Sequence, residues 1–496
     1  MKPLNYQTLK ELNYDGFLLK EAPERILQFG EGNFLRAFAD HFIDVMNERA
    51  DFCSKVVLCQ PNGSALADTV NEQEGLYTLY LRGFQNNEKI SRKRVISCVS
   101  RCLNPKKDYE EVLRCAENPE LRFIISNTTE AGIVYDSSCA FEDAPPPTFP
   151  AKLTQLLYRR FRTFGAETGK GFLILPCELI DDNGGELKAC VLRYARQWEL
   201  EDEFLHWVEE ENTFCSTLVD RIVTGYPKHE ADDLCQEAGY QDRLIDTGEI
   251  FGFWVIEGPP SLDEEFPARR AGLPVLITDD CRPYKQRKVR ILNGAHTAFV
   301  PGAYLAGHTI VRDCMDDPVI RTFMNCAVFD EIIPTLDLPR KELEDFATAV
   351  TERFQNPFID HALLSICLNS TSKWKARILP TLKDYISRKN VLPLCLTASF
   401  AFYTVFYQKY IPEGSLVKDD AGVLEFFRQH DGVTDRELVH HLCTETAFWG
   451  EDLSALPGFE NAVLSCMEII RSQGAKALMQ AAASEQKAFV SEQKLS

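Results

Sequence analysis

Three residues that could together move a proton and hold an oxygen atom lie close in the sequence: Lys288, Asn293 and His296. On a helix that turns about 100° per residue, they fall within an arc of about 140°. Their neighbours Ile291 and Leu292 are apolar, which indicates that much of this helix is buried. Burial lowers a lysine pKa from about 10.4 toward neutrality, as an acid/base for alcohol–ketone interconversion requires, and an asparagine amide can stabilise a developing alkoxide. On these residues alone, a basic helix start with a capped histidine is also open.

A second group of cations, Lys373, Lys375 and Arg377, could hold a carboxylate. Lys373 and Arg377 are four residues apart, so on a helix they share one face. A solvated helix face is the alternative for Lys375 and Arg377. If the substrate is an acid, we expect Lys373 or Arg377 to pair with its carboxylate, because an anion is otherwise disfavoured in a pocket of a chain with a net charge of −20.

Two glycines, Gly30 and Gly32, stand between a strand-like run, Ile26–Phe29, and a helical pattern over 34–46. In the dinucleotide fingerprint the first glycine permits a tight turn, and the second lets the backbone approach a pyrophosphate at the helix N-terminus. The third glycine is missing, so a plain strand-to-helix turn is an alternative. Gln60 occupies the position where an acidic residue would bind the ribose of NAD, and no basic residue stands there to favour NADP.

The first half of the chain alternates strand-like and helix-like segments, which predicts an α/β fold with a parallel sheet covered on both faces. Further buried strands are predicted at Val56–Cys59, Phe123–Ile125 and Phe172–Leu175. A turn at 61–63 follows the first of these. From Tyr284 onward long helices dominate, predicted at Arg287–Leu305, Lys341–Phe354 and Leu394–Tyr410. We therefore expect two domains, 1–279 and 280–496, the second mostly α-helical.

Composition narrows the class of protein. The chain has 496 residues, a net charge of −20 and a sequence pI of about 5.0, which disfavours nucleic-acid and anionic-membrane partners. No apolar run is long enough for a membrane helix, and the N-terminus lacks a signal-peptide core. The 17 cysteines contain no C-x-x-C pair, so we expect reduced thiols and a cytoplasmic protein. No H-E-x-x-H or other zinc spacing occurs, and we expect no metal.

Several motifs resemble the long-chain polyol dehydrogenases of the mannitol dehydrogenase family. K-x4-N-G-x-H at Lys288 resembles the catalytic signature of that family, and G-x-G-x-F-x-R-A over 30–37 resembles its nucleotide loop. Further segments look like its landmarks and follow in the same order: Leu76–Leu79, Asn127–Gly132, Cys177-Glu178 with Asn183-Gly184, and Val219–Ile222. The resemblance covers about residues 24–380.

This resemblance implies a Rossmann-type N-terminal domain, a mostly helical C-terminal domain, an active site between them, NAD as cofactor and no metal. Lys288 would be the acid/base, while Asn293 and His296 polarise or orient the substrate oxygen. Lys373 and Asp220 match substrate-side residues. The implied cofactor-binding residues are Phe29, Gly30, Gly32, Asn33, Phe34, Arg36, Gln60, Asn127 and Thr128.

Within the family, four segments resemble the branch that acts on hexuronates: Ile26–Ala37, Ile291–Thr297, Ile333–Pro339 and Leu368–Lys373. They imply the interconversion of D-tagaturonate and D-altronate, a small-molecule sugar acid. Two departures from the polyol enzymes argue for a different substrate end: Cys177-Glu178-Leu179 replaces C-D-N, and Ser365 replaces an arginine eight residues before Lys373. Action on fructuronate/mannonate or mannitol/fructose is the alternative. A non-catalytic binding protein is disfavoured, because it would not need a buried acid/base.

Overall fold

The computed structural model describes residues 1–60, 65–85, 88–129, 131–166, 169–411, 414 and 416–495. The turn predicted at 61–63 and Glu130 of the Asn127–Gly132 landmark therefore lie outside the described residues. The chain divides into two compact units. The first comprises Met1–Gly83 and Lys89–Cys281, and the second comprises Phe84–Glu88 and Arg282–Ser496.

The strands, in chain order, are β1 Lys2–Pro3, β2 Glu24–Phe29, β3 Lys55–Cys59, β4 Tyr77–Gln85, β5 Glu88–Ile96, β6 Val99–Leu103, β7 Phe123–Ser126, β8 Leu173–Pro176, β9 Thr213–Phe214, β10 Ser216–Asp220, β11 Tyr240–Gln241, β12 Asp246–Glu249, β13 Phe253–Glu257 and β14 Val275–Thr278. Six of them form one sheet in the order β6-β3-β2-β7-β8-β9, and its strand pairs are parallel. This confirms the predicted parallel sheet. The smaller sheets are β10-β13-β14, β12-β4-β5 and β1-β11.

Alternate residues of the central strands point into two different apolar cores. Ile26 and Val56 belong to one core, whereas Leu27 and Val57 belong to the other. Because side chains alternate along a strand, an unbroken apolar run is what a strand covered on both faces requires. The helices that accompany this sheet in the first unit are α1 Tyr6–Glu11, α2 Asn33–Leu35, α3 His41–Arg49, α4 Ala65–Glu72, α5 Tyr109–Arg114, α6 Phe149–Phe164, α7 Asn183–Gln197, α8 Asp202–Glu210, α9 Ala231–Ala238 and α10 Leu262–Glu265.

The second unit is largely helical, as predicted. Its helices are α11 Arg282–Arg287, α12 Gly294–Leu305, α13 Val311–Asp316, α14 Pro318–Cys326, α15 Arg340–Phe354, α16 Leu363–Ile366, α17 Ser370–Arg377, α18 Leu379–Lys389, α19 Leu394–Tyr410, α20 Ala421–Gln429, α21 Asp435–Thr444, α22 Thr446–Trp449, α23 Phe459–Gln473 and α24 Ala475–Leu495. The apolar helix α19 packs against α12, α23 and α24. Among the helices described, none combines the length and hydropathy that crossing a bilayer demands.

Two predicted helices contain π-helical segments that the sequence pattern does not reveal. The helix expected at Arg287–Leu305 begins at Arg282 and changes to π geometry over Lys288–Asn293 before α12. The helix expected over 34–46 contains a π segment at Arg36–Asp40. A π turn bonds residues five apart, and a single such turn is too short for hydrophobic spacing to distinguish it from an α turn. Hydrophobic spacing therefore predicts the helix but not the π turn within it.

Candidate active site

The π segment in the second unit begins at Lys288 and ends at Asn293. The amide of the next residue, Gly294, donates to the carbonyl of Val289, five residues back. Because this hydrogen bonding closes a turn between residues five apart, Lys288 and Asn293 lie nearer to one face than they would on an α-helix. Single π turns inside α-helices are frequent at functional sites. The π turn thus spans the predicted lysine and asparagine from end to end.

His296, on the following turn in α12, is buried at 7% exposure. Its ring stacks on Phe354 with centroids 4.1 Å apart, and the ring of His361 stands almost perpendicular to it at 5.4 Å. Nε2 of His296 is buried without a hydrogen-bond partner among the described residues. Burial, followed by the nearby charges of His361 and Arg377, holds the pKa of His296 well below its usual range. A neutral imidazole with one unpartnered nitrogen is suited to bind a substrate hydroxyl or carbonyl.

Arg377, at the end of α17, is connected to the π segment through a threonine. Its Nη1 donates to Oγ1 of Thr297 at 3.4 Å, and that hydroxyl donates to the carbonyl oxygen of Asn293 at 3.0 Å. Burial lowers the pKa of Arg377. Among the described residues no carboxylate lies within 4.0 Å of the guanidinium. Thr297 therefore links the predicted cation to the predicted catalytic asparagine.

Lys373 begins the second turn of the same helix. Its Nζ donates to the carbonyl of Ile366 at 2.8 Å, and no carboxylate of the described chain lies within 4.0 Å of it. Burial, and then the charge of Arg377, lowers the pKa of Lys373. Ser365, at the position of the polyol arginine, is exposed, and its hydroxyl donates to the Ala362 carbonyl.

Other cations near Lys288 in the sequence form ion pairs. Arg287 pairs with Glu342 at 2.5 Å, and Arg290 pairs with Asp384 at 2.5 Å. Lys288 itself is half-buried. Burial, and then the charge of Lys288, lowers the pKa of Lys285 one turn earlier.

In the first unit, the two predicted glycines differ in what they require. Gly30 has φ +130°, and a Cβ there would lie 3.0 Å from Cδ1 of Leu35 and 3.1 Å from the carbonyl oxygen of Asn127. Gly32 has an ordinary φ of −66°, and a Cβ there would meet no atom within 4 Å. Gly30 thus forms the tight turn, while Gly32 leaves open space at the start of α2.

Arg36 braces this loop from inside the protein, at 3% exposure. It donates to the carbonyls of Glu31 at 3.1 Å and Leu244 at 2.7 Å, and to Oδ1 of Asn33 at 2.6 Å. Asp246 lies 3.7 Å from the guanidinium. The Arg36 side chain therefore fixes the position of the loop backbone.

The aromatic residues of the nucleotide loop, Phe29 and Phe34, pack against other rings. Phe29 is 1% exposed and packs against Phe149 with ring centroids 5.0 Å apart. Phe34 is partly buried and stacks on Phe38 at 5.2 Å. Phe29 can therefore contribute to the loop only through its backbone.

The ends of β2, β3 and β7 meet at the carboxyl edge of the sheet, where α/β folds bind ligands. The amide of Gly30 donates to Cys59, and the amide of Asn127 donates to Phe29, both at 3.0 Å. Asn127 Nδ2 donates to the carbonyl of Cys177 at 3.3 Å. Gln60 is buried, and its Oε1 accepts from the amide of Ala67 at 3.1 Å.

Glu178, which stands where the polyol enzymes have the aspartate of C-D-N, is buried at this edge of the sheet. Its Oε1 accepts from the amide and hydroxyl of Thr128 at 2.9 and 3.0 Å, and its Oε2 accepts from Oγ of Ser126 at 3.0 Å. Burial raises the pKa of Glu178, and these hydrogen bonds oppose the rise. Glu178 therefore holds Thr128, one of the predicted cofactor residues, in place.

Asp220 is the buried last residue of β10, in the first unit. The next residue, Arg221, donates to the carbonyls of Ala37 and Phe251 at 2.5 and 2.9 Å.

Two residues of the second unit were not predicted as site residues: Thr297, although it lies within a motif, and His361. Nothing near His361 in the sequence marks it, because its neighbours in space come from other helices.

The Mannitol dehydrogenase Rossmann domain profile matches residues 24–268, and the Mannitol dehydrogenase C-terminal domain profile matches residues 280–470. A curated relative named altronate oxidoreductase, from Escherichia coli O139:H28 (strain E24377A / ETEC), is 47% identical over 474 residues, covering 94% of this chain and 98% of the relative. A relative of the same name from Klebsiella pneumoniae (strain 342) is 46% identical over 480 residues, with 95% and 99% coverage.

Solved structures show the same fold. Substrate-free D-sorbitol dehydrogenase superposes with a TM-score of 0.78 at 22% identity, covering 96% of this chain and 100% of that one. Pseudomonas fluorescens mannitol 2-dehydrogenase, in ternary complex with NAD and D-mannitol, gives a TM-score of 0.69 at 22% identity, with 97% and 99% coverage. At this identity the likeness concerns the fold alone.

Proposed function

The chain belongs to the mannitol dehydrogenase family, and we propose that it interconverts D-tagaturonate and D-altronate with NAD as hydride carrier. It is an oxidoreductase of polyols or sugar acids, as the family and its relatives are. The match to the family's Rossmann domain supports a nicotinamide dinucleotide cofactor. The choice of NAD over NADP is part of the proposal and rests on Gln60, where no basic residue stands to bind a 2′-phosphate.

The observation that supports a substrate with a carboxylate is a group of cations that form no ion pair with the described residues. Lys373 and Arg377 both depress the pKa of His296, and among the described residues neither has a carboxylate within 4.0 Å. Half-buried cations are stable when an anion pairs with them. The carboxylate of a hexuronate would supply that anion, whereas a neutral polyol would not. The relatives named altronate oxidoreductase support the same substrate class.

When bound, NADH would supply the hydride that reduces the ketone carbon. Lys288 Nζ donates a proton to the ketone oxygen during reduction and removes it from the hydroxyl during oxidation. The Asn293 amide donates to the same oxygen and stabilises its developing negative charge. Nε2 of His296 binds the substrate oxygen. The lowered pKa of His296 keeps its ring neutral. We place Asp220 on the substrate side.

The nucleotide loop fits a dinucleotide. We propose that the open space at Gly32 and the amides at the start of α2 bind the pyrophosphate. Arg36 acts by bracing the loop rather than by touching the cofactor. The remaining cofactor residues of the proposal are Phe29, Gly30, Asn33, Phe34, Gln60, Asn127 and Thr128.

We propose that the enzyme works in the cytoplasm on a small-molecule sugar acid, without a nucleic-acid or membrane partner. The 17 cysteines are free thiols, which is typical of a reducing compartment. The net charge of −20 disfavours anionic surfaces as partners.

The test is a panel assay of NADH oxidation with D-tagaturonate, D-fructuronate and D-fructose, using the wild type and Arg377→Ala. We expect kcat/KM to be highest for D-tagaturonate. Arg377→Ala should raise the KM for D-tagaturonate about ten- to a hundredfold, because a charge-assisted bond of roughly 1.5–3 kcal/mol is lost. Activity on D-fructose should hardly change, since it has no carboxylate.

Lys375→Ala is the matched control, because it removes a cation from the same helix, α17. The Lys375 side chain lies beside Gly450. It should leave both substrates unaffected. A higher kcat/KM for D-fructuronate or D-fructose in the wild type would replace the proposed substrate by that sugar. Equal damage by Arg377→Ala on acid and neutral ketose would make Arg377 structural.

A further inference from the structure

We infer that His361 is a specificity-determining residue, which binds the acid end of the substrate beside Lys373. The inference rests on the proposed function, because it requires a substrate with a carboxylate. His361 lies between α15 and α16, outside the motifs that the sequence displays. Its role follows from the surroundings that the fold gives it.

The backbone at His361 and directly after it is anchored. Its carbonyl accepts from the amide of Val311 at 3.0 Å, and Ala362 forms a β-bridge with Ile310. The amide of Leu363 donates to Thr309 at 2.8 Å. The backbone over 361–363 is therefore held by the segment before α13, and this fixes where the imidazole starts from the main chain.

The ring of His361 is presented to the proposed substrate-binding histidine. The two ring centroids are 5.4 Å apart with an interplanar angle of 86°, so the rings meet edge to face. The described part of the chain provides no hydrogen-bond partner for either ring nitrogen of His361, and Nε2 of His296 is likewise unpartnered and buried. Nε2 of His296 is thus a buried unpartnered group, and half-buried His361 beside it leaves both rings able to bind a polar ligand.

The charges around this pair select an anion. Lys373 and Arg377 from α17 and Arg353 from α15 all act on His296 as positive neighbours. Burial lowers the pKa of His361, and the charge of Lys373 lowers it further. Neutral His361 can then donate one N–H to a carboxylate without adding to the repulsion among the cations.

The carboxylate with which Lys373 interacts, Asp419, is committed to other bonds. Its Oδ2 accepts from the amide of Thr371 at 3.0 Å, from the Thr371 hydroxyl at 2.8 Å and from the Tyr407 hydroxyl at 2.6 Å. Asp419 therefore ties α17 to α19, and its charge reaches Lys373 without an ion pair within 4.0 Å. A substrate carboxylate would accept from His361 and from an ammonium proton of Lys373 that is not used on Ile366.

The test compares His361→Phe with the wild type in the NADH-dependent reduction of D-tagaturonate and D-fructose. Phenylalanine keeps an aromatic ring against His296 but has no donor. We expect the KM for D-tagaturonate to rise about tenfold or more, since a hydrogen bond to a charged acceptor is lost, and the KM for D-fructose to stay within about twofold. His361→Gln retains a donor and should recover part of the affinity. His441→Gln, on the exposed side of α21, should change neither value.

Equilibrium binding separates this inference from the proposed function. Isothermal titration of the enzyme–NADH complex with D-altronate and with D-mannitol measures the preference for an acid without turnover. A wild type that binds both equally contradicts the proposed function and the inference together. A wild type that prefers D-altronate, with His361→Phe retaining the whole preference, overturns the inference alone. Equal loss on both ligands makes His361 a packing residue and also overturns it. His361→Leu, likewise without a donor, replaces the phenylalanine variant if that variant does not fold.

Discussion

At the scale of single residues, Lys288 carries the proton transfer of the proposed reaction. We predict that Lys288→Ala lowers kcat by about 10²–10⁴, because general acid/base catalysis contributes roughly that factor. The Kd for NADH should stay near the wild-type value, because the glycines of the nucleotide loop are untouched. Steady-state kinetics with D-tagaturonate and a fluorescence titration with NADH measure the two quantities.

Lys288→Arg is the control for the proton transfer itself. Arginine keeps the positive charge but does not release its proton at working pH, so it should be nearly as inactive as alanine. Near-normal turnover of either variant would rule out Lys288 as the acid/base. Activity with arginine but not alanine would instead assign Lys288 a purely electrostatic role.

At the scale of elements, the turn from β2 to α2 contains two glycines with different duties, and they can be separated experimentally. We predict that Gly30→Ala lowers the thermal stability of the cofactor-free enzyme by several °C, because its φ of +130° and the close approach of Asn127 strain an alanine by about 1–3 kcal/mol. Gly32→Ala has room for its methyl group and an ordinary φ, so cofactor-free stability should hardly change.

The same methyl group at Gly32 would occupy the space proposed for the pyrophosphate. We therefore expect Gly32→Ala to raise the Kd for NADH about tenfold or more, which corresponds to roughly 1.4 kcal/mol. Thermal unfolding without cofactor and calorimetric titration with NADH give both values. Unchanged NADH binding by Gly32→Ala would show that the cofactor does not pass close to this glycine.

At the scale of the whole molecule, the strong negative charge contrasts with a local cluster of cations. The net charge is −20, yet Lys373 and Arg377 lie beside His296 without carboxylate partners among the described residues. Such a local positive site draws a small anion past a surface that repels larger anionic partners. The charge distribution thus agrees with a small acid as substrate.

Metal dependence is also a property of the whole chain. Among the described residues, no group of three or more histidine, cysteine, aspartate or glutamate side chains could hold a metal ion. Lys288 and Asn293 together can polarise and protonate the carbonyl that a Lewis acid would otherwise activate. We predict that dialysis against EDTA leaves kcat and KM for D-tagaturonate unchanged. A loss of activity that added Zn²⁺ restores would contradict this prediction.

The features that the residues alone predict are local in character. The strand Ile26–Phe29, the turn at Gly30 and Gly32, and the association of Lys288 with Asn293 and His296 each arise within about a dozen residues, where periodicity and residue type carry the information. The parallel sheet and the largely helical second unit follow from the same local patterns repeated along the chain. Family resemblance then extended these patterns to a reaction.

Features that join residues far apart in sequence are visible only in the folded chain. It placed His361 against His296, buried Glu178 under Thr128, and turned Arg36 inward to brace its own loop. The π geometry between Lys288 and Asn293 also escapes the pattern, because a single π turn is too short to be distinguished by apolar spacing. Such contacts are set by packing between separate elements, and the free energy of packing depends on shape and burial that spacing along the chain does not encode.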